Sequence, residues 1–437
     1  MRPGQQVAVV GGGIAGLTAA IYAAQGGARV TLFESVSQLG GRARTHDEQG
    51  FLLNQGPHAL YCGGAAGRVL GELGIAVPGA APQLAGTFAL AAGRLHALPV
   101  GLASLLTSRL LGPAAKLEAA RFLASLRRPV PSELDALPLS EYLERELRHP
   151  RVRQLVGALV RLTSYSHAPG QISAGAALAQ MGLSQAGVRY LDGGWQSLVD
   201  ALAARARAQG VEIRTGARVR GVSHGRGEPL RLCLSGDTIS GDAGLRVDAA
   251  VLCVPPREAN RLLGERAAEL ASLERDTWSV RVACLDLGLR ALPRPRHRFL
   301  LGIDTPIYYS VHSAAARLAP PDGALVHVAR YLEPDERIDQ PQLRAELEAV
   351  LDRLQPGWRP LEVVRRELPN LCAASAGVSA RQRGLAGRPG PALRSAPGIF
   401  LAGDWVGPEG QLADASFASG RAAGQLASAL RAGSAAA

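Results

Sequence analysis

Apolar residues run unbroken from Val7 to Val10, and glycines stand directly behind them at Gly11, Gly13 and Gly16. Such a run suits a strand buried on both faces of a parallel sheet. Ile14–Gln25 is Ala-rich and reads as helix, Gly26-Gly27 ends it, and Arg29–Phe33 is a second strand. Leu52–Leu60 changes character, with Gly56-Pro57 turning the chain. Ala65–Leu73 predicts a helix and Thr87–Leu98 a hairpin about Gly93. From Leu102 to about Leu183 the pattern is mostly helical and punctuated by prolines. An α/β rhythm then returns. Trp195–Ala208 reads as helix; Val211–Arg214, Ala217–Val222, Leu230–Leu234 and Leu245–Val254 read as strands. Trp278–Leu287 and Ala324–Leu332 predict strands, Gln342–Leu354 a helix, Ile399–Ala402 a short strand and Ala415–Leu430 a last helix. Residues 431–437 are expected to fray.

The order of these elements predicts an α/β fold. A Rossmann-like nucleotide-binding domain, discontinuous in sequence, is expected from 1–80, 188–260 and 390–437. A mixed α+β substrate domain is expected from 81–187 and 261–389, its first piece a mostly helical insert.

Composition narrows the class. With 437 residues, 47% of them hydrophobic, the chain has enough material for two or three domains. Its net charge of +11 permits acidic partners, but the basic residues are scattered and lack interleaved aromatics, so no nucleic-acid partner is expected. Cys62, Cys233, Cys253, Cys284 and Cys372 form no close pair, which argues against a disulfide framework, a redox CxxC or a metal site. The chain enters a strand without a signal-peptide pattern and carries no membrane-spanning apolar run. The expected location is the cytoplasm, with membrane association left open.

The spacing Gly11-x-Gly13-x-x-Gly16 follows a strand, opens a helix, and is answered by Glu34 at the end of the next strand. In that context it is a dinucleotide fingerprint. Gly11 makes the turn, Gly13 lets a pyrophosphate reach the backbone, and Gly16 lets helix and strand close up. Glu34 suits ribose hydroxyls and would repel a 2′-phosphate.

Beyond Glu34 comes SVSQLGGRARTHDEQGFLLNQGPHALY, a segment that a plain nicotinamide domain does not need. Here the chain resembles the flavoprotein superfamily of amine oxidases, phytoene desaturases and protoporphyrinogen oxidases. The resemblance implies FAD. It implies that Gly41 and Arg42 meet the pyrophosphate and ribityl region, that Arg44 lies near the flavin, and that Gly56, Pro57 and His58 form the turn beside the isoalloxazine ring. A distant stretch, GIFLAGDWVGPEGQLADASFASGRAAGQ, is similar to the family's C-terminal FAD motif. By that likeness Gly403 lets the chain approach the cofactor and Asp404 serves the ribityl hydroxyls or, through water, the phosphates. Gln411, Leu412 and Ala413 begin the helix whose N–H groups face the flavin N1–C2=O edge. GGWQSLVDAL is a third match, and it makes Val219 the adenine-side position.

For the reaction, family amine oxidases carry a lysine near the flavin. Lys116, the only lysine here, sits in the helical insert, and Trp405 follows Asp404 where a tyrosine cage is usual. The closer resemblance is to the desaturase-like branch. It implies an FAD-dependent oxidoreductase that removes hydrogens from an apolar polyene-like or cyclic substrate by hydride transfer to flavin N5, with oxygen or a quinone as final acceptor. The alternatives are a flavin amine oxidase, a flavin-dependent isomerase and a non-catalytic prenyl-binding escort protein. Catalytic candidates are His58, by its motif, and the segment PIYYSVHSAA, which as a strand presents either Tyr308, Ser310 and His312 or Tyr309 and Val311. Tyr165 and His167 are a further polar cluster. The apolar helices near 100–130, with Arg109, Lys116, Arg121, Arg127 and Arg128, suit either packing against the core or peripheral membrane contact. Glu34→Ala should weaken FAD retention on dialysis; unchanged flavin affinity would contradict a ribose role.

Overall fold

The computed structural model describes residues 5–83, 85–99, 101–223, 230–235, 244–264, 270, 273 and 275–430; the tail expected to fray, 431–437, lies outside them. At the N-terminus β1 (Gln6–Val10), α1 (Ile14–Gln25) and β2 (Arg29–Phe33) reproduce the expected βαβ unit. They belong to a parallel sheet in the order β10 (Glu212–Arg214), β2, β1, β14 (Ala249–Leu252), β20 (Ile399–Leu401). The apolar run of β1 is explained by cover on both faces. Val7 and Val9 pack with α1, α8 (Trp195–Ala208) and the C-terminal helix Leu412–Ala429. Ala8 and Val10 pack under an antiparallel meander of β11 (Val219–Ser223), β12 (Leu230–Leu234) and β13 (Leu245–Val247).

One expectation is corrected here. Leu245–Val254 is two strands in two sheets. Asp248 interrupts the run by accepting the Gln6 N–H at 2.7 Å, and the chain there leaves the meander for the parallel sheet. The C-terminal helix lies close on α1 because small residues face each other. A Cβ at Gly420 would stand 2.6 Å from the Ala15 carbonyl oxygen, and one at Gly424 would collide with that of Ala19.

A second sheet has seven strands in the order β19 (Glu362–Ala374), β15 (Val280–Leu289), β18 (Ala324–Tyr331), β17 (Ile307–Val311), β16 (Phe299–Gly302), β7 (Thr87–Ala91), β8 (Arg94–Ala97). Only β16–β7 is parallel, and β7–β8 is the expected hairpin about Gly93. One face carries Leu285, Leu287, Tyr309, Val326 and Val328 and is covered by the helix Gln340–Leu354 and Trp358. The other face turns toward the Gly56-Pro57 segment. β19 escaped the sequence reading because an edge strand exposes one side, so its charges and Pro369 are tolerated.

Helices α3 (Leu102–Thr107), α4 (Pro113–Ser125), α5 (Leu139–Glu146), α6 (Pro150–Ser164) and α7 (Ala174–Ser184) form the expected helical layer, packed around Phe122, Leu143, Val156 and Met181. Small pairings link the two sheets: β3 (Thr45–Glu48) with β4 (Phe51–Asn54), and β9 (Val188–Leu191) between β5 (Leu60–Tyr61) and β6 (Gly79–Ala80). Sheet membership supports the two-domain division, which we retain as a proposal. Every strand of the parallel sheet falls in 1–80, 188–260 or 390–437, and every strand of the seven-stranded sheet in 81–187 or 261–389.

Gly424→Ala should cost about 1–3 kcal/mol through overpacking against α1. Gly71→Ala, in α2 (Ala65–Glu72) with nothing within 4 Å of the added Cβ, should stabilise by up to about 1 kcal/mol. Thermal unfolding midpoints that move in the same direction in both variants would contradict this packing.

Candidate active site

Parallel pairing brings the ends of β1, β2, β14 and β20 to one edge of the sheet. Past β1, Gly11 takes φ +108°, and a Cβ there would stand 2.5 Å from the Cys253 carbonyl oxygen. A Cβ at Gly16 would strike the Gly11 carbonyl, so α1 can pack this closely only with glycine. Gly13 and Gly41 differ. A Cβ on Gly13 would come no nearer than 3.9 Å to the Gly40 oxygen, and one on Gly41 no nearer than 3.9 Å to Gly13 Cα. The two segments are bridged at Gly13 and Gly40, and the lane along their surface has only backbone within 4 Å of either added Cβ. Gly13 caps α1 without a side-chain hydrogen bond, and the first turn holds no acid, so the helix offers its free N–H groups and positive end to that lane. Glu34 stands beside it, with Oε2 accepting the Gly12 N–H at 2.7 Å and Oε1 the Val36 N–H at 3.0 Å. Ala217 N–H donates to the Glu34 carbonyl, which brings Val219, at the start of β11, to the same edge.

The second glycine segment meets the C-terminal motif directly. Arg42 and Asp404 form a two-point ion pair, each contact 2.8 Å. Arg42 also donates to the Ala373 carbonyl, and the Ser375 N–H donates to Asp404. Burial alone would raise the Asp404 carboxyl, but the Arg42 charge and these hydrogen bonds hold it below the ordinary carboxylate range. Arg388 lies nearby, donates to the Gly410 carbonyl, and is lowered by burial to about 10. One carboxylate facing two guanidiniums leaves a surplus of positive charge, suited to an anionic ligand. Arg44 folds back on the Gly41 carbonyl at 3.0 Å. Gln411 caps the C-terminal helix and anchors it by donating to Ala176; Leu412 and Ala413 open its first turn. Backbone lane, uncapped helix end, ribose-side acid and surplus cation together fit a dinucleotide diphosphate.

The Gly56-Pro57-His58 turn rests on the open face of the seven-stranded sheet. A Cβ on Gly56 would stand 2.8 Å from Leu371 and 3.2 Å from Cys284 Sγ. The Tyr165 hydroxyl donates to the Pro57 carbonyl at 2.6 Å. Five of the chain's eight tyrosines gather here: Tyr61, Tyr165, Tyr190, Tyr308 and Tyr331. Burial, and then each other's proximity, pushes Tyr165 and Tyr308 well above the ordinary phenol range. His58 packs edge-on against Trp195 at 5.0 Å, and burial lowers it to about 4.

Strand alternation decides between the two readings of the PIYYSVHSAA segment. Tyr308 and His312 are on the site side: His312 stacks on Tyr190 at 3.9 Å, and its Nε2 meets the Tyr308 hydroxyl at 3.3 Å. Tyr309 is withdrawn from the candidate set. Its ring points the other way, where its hydroxyl donates to the His297 carbonyl and accepts from Gln355 beneath the covering helix. Trp405 is likewise turned inward, its indole N–H on the Val254 carbonyl.

The site holds residues that the sequence reading passed over. Arg366, Asp286 and His327 lie directly opposite one another on β19, β15 and β18, and Ser310, already singled out in the sequence, extends this polar row onto β17 across a buried sheet. His327 Nδ1 and Asp286 Oδ1 are 2.6 Å apart, with both side chains fully buried. Arg366 binds the other Asp286 oxygen and also the Leu53 and Asn54 carbonyls just before the Gly56 turn. A single Asp in VRVACLDLGL and a single His in ALVHVARY, each amid apolar neighbours, were the available signals. Arg388 had no local signature.

Comparison with known proteins agrees with this geometry. The family model for flavin containing amine oxidoreductases matches residues 14–427. Carotenoid 3,4-desaturase of Haloarcula japonica is 54% identical over 54 residues, 12% of this chain and 11% of the relative. Coproporphyrinogen III oxidase of Propionibacterium freudenreichii is 36% identical over 107 residues, 23% of this chain and 20% of the relative. The matches thus span about a tenth to a fifth of these relatives' length. A putrescine oxidase bound to putrescine shares the fold with TM-score 0.75 at 17% identity, over 96% of this chain and 98% of that one. The chain belongs to the family of flavin containing amine oxidoreductases.

Proposed function

We propose that the protein dehydrogenates an apolar small molecule with a polyene-like or cyclic carbon framework. The observation that carries this reading is the chemistry of the sheet face against the Gly56-Pro57-His58 turn. Phenols, Cys284 and Leu371 cover it, and its charged groups, Asp286 and Arg366, are paired with each other. A substrate ammonium would find no unpaired carboxylate on that face among the described residues. Lys116 lies on α4, where it donates to the Leu106 carbonyl. The names of the desaturase and the porphyrinogen oxidase matched over short stretches point the same way.

In this reading Gly13, Gly41 and Arg42 hold the diphosphate, Glu34 the ribose, and Val219 the adenine side. Asp404 and the Leu412–Ala413 helix start hold the ribityl and flavin end. When bound, FAD supplies the acceptor for a hydride at N5; oxygen or a quinone would reoxidise it. The chain's own groups shape the rest. His58 stays neutral above about pH 5, because a group lowered to about 4 is unprotonated there, so the turn adds no cation beside the substrate. The sheet face excludes water. A cleft of about 320 Å³ between α5 and α6 shares Ser166 and Ile172 with a smaller cavity that reaches Asp404, Gln411 and Leu412. We take it as the substrate's route inward.

Among the described residues no helix is long and apolar enough to cross a membrane. Leu106 and Leu117, 64% and 52% exposed, nevertheless stand out from α3 and α4 beside Lys116 and the exposed Arg109. We propose this tip as a peripheral lipid contact.

Anaerobic mixing of the FAD-loaded protein with polyenes, porphyrinogens and amines should bleach the visible flavin band with a member of the first two classes. Bleaching by amines alone would replace this reading with an amine oxidase. Arg109→Glu combined with Lys116→Glu should lower sedimentation with anionic vesicles several-fold. Equal sedimentation of wild type and variant would contradict lipid contact at this tip.

A further inference from the structure

Three buried polar atoms on the open face of the seven-stranded sheet lack a hydrogen-bond partner: Ser310 Oγ, His312 Nδ1 and His327 Nε2. They are neighbours. Ser310 lies opposite His327 in the β17–β18 register, and the His312 and His327 ring centroids are 4.5 Å apart. A buried polar atom without a partner gives up its hydration for nothing, so three together on one buried sheet face call for a use beyond cohesion.

The tautomers follow from the partners. Asp286 is held by Arg366 and by His327 Nδ1. Burial alone would raise its carboxyl, but the two cationic-side partners hold it below its ordinary range, so it is a carboxylate and can only accept. His327 therefore carries its proton on Nδ1 and presents a lone pair at Nε2. At the far end the Tyr308 hydroxyl and His312 Nε2 are 3.3 Å apart, and His312 Nδ1 is left without a partner beside the His327 ring, the two centroids 4.5 Å apart. Hydroxyl, imidazole, imidazole and carboxylate thus follow one another from the tyrosine-lined face into the sheet, with hydrogen bonds at the two ends and a ring contact in the middle.

We propose that Tyr308, His312 and His327, backed by Asp286 and Arg366, form a buried path that takes up the proton a dehydrogenated substrate loses. The inference rests on the dehydrogenation reading above. Removing two hydrogens breaks two C–H bonds. One hydrogen leaves with its electron pair to the FAD oxidant. The other leaves as a proton, and its bonding pair becomes the new double bond. Tyr308 Oη accepts that proton as its own passes to His312 Nε2. The His312 and His327 rings, whose facing edges share no hydrogen bond at rest, turn to pass the His312 Nδ1 proton to His327 Nε2, and the doubly protonated His327 is then held against Asp286. Tyr308 is the catalytic residue of this path; His312 and His327 relay the proton, and Asp286 and Arg366 are positioning residues.

The charges around His327 make the transfer conditional. Arg366 already balances Asp286, and the other titratable groups facing the row, His58, His312 and Tyr190, are neutral. An added proton makes the cluster net positive. That is favourable when the neighbouring cofactor holds the substrate's electrons and unfavourable when it does not.

The test is the pH dependence of the bound flavin's midpoint potential across neutral pH, by dye-coupled reduction of FAD-loaded wild type and His327→Gln. Each proton coupled to a two-electron step adds a tenfold change per pH unit, about 30 mV. Wild type should show about 60 mV per pH unit, one proton for the flavin and one for the row, and His327→Gln about 30 mV. A wild-type slope of about 30 mV, or one slope in both proteins, overturns the proposal. ¹⁵N histidine spectra of the wild type give a second reading that needs no variant. Nδ1-protonated His327 with a bare Nε2 is expected, and an Nε2-protonated ring overturns the relay. Protein that retains no FAD overturns the cofactor site and the relay with it; FAD retained with the wrong slope overturns the relay alone.

Discussion

The two-point ion pair between Arg42 and Asp404 ties together the segments on which everything else depends. One lies just past the first βαβ unit and the other just past the last strand. Coulomb attraction alone does not bring them together, because a buried pair repays its desolvation only with good geometry and further hydrogen bonds. Those are present: two contacts of 2.8 Å, the Ser375 N–H on Asp404 and the Ala373 carbonyl on Arg42. The parallel register of β1, β14 and β20 sets the ends side by side, and the pair stands beside the backbone lane along Gly13 and Gly41. With Arg388 close by, the junction carries a surplus of positive charge beside that lane.

A second set of charges performs a different task. Arg366 clamps Asp286 and reaches the Leu53 and Asn54 carbonyls, fastening the seven-stranded sheet to the strand that leads into the Gly56-Pro57-His58 turn. Asn54 continues the link, accepting from the Thr45 hydroxyl and the Trp195 N–H. The substrate face is therefore held at a set distance from the turn by polar contacts that are themselves buried. Between them the surface is left to phenols and aliphatic groups, where a charged substrate would lose its hydration without compensation.

Much of this was legible in the chain. The βαβ unit, the GGRAR segment and the LAGD segment each combine glycine with a charged group at a fixed offset from a strand, and local spacing encodes such chemistry. Helix and strand limits of the first βαβ unit and of the last strand fall within a residue, because apolar runs and glycine stops coincide there, whereas the last helix begins three residues before its expected start. The floor of the site was not legible. Asp286, His327 and Arg366 come from three strands and meet only through register, which no local pattern records. β19 hid behind the mixed polarity of an edge strand. Tyr308 and Tyr309 were indistinguishable until the sheet showed which face was covered. Arg388 gains its place from a loop crossing beside Asp404, again a tertiary fact.

The most direct measurement is an experimental structure of the FAD-loaded protein. The account predicts diphosphate density along the Gly13 and Gly41 backbone, ribose oxygens on Glu34, and the isoalloxazine ring between the Gly56-Pro57-His58 turn and the start of the C-terminal helix. Cofactor density lying elsewhere, or a ring outside the space between that turn and that helix, would contradict it.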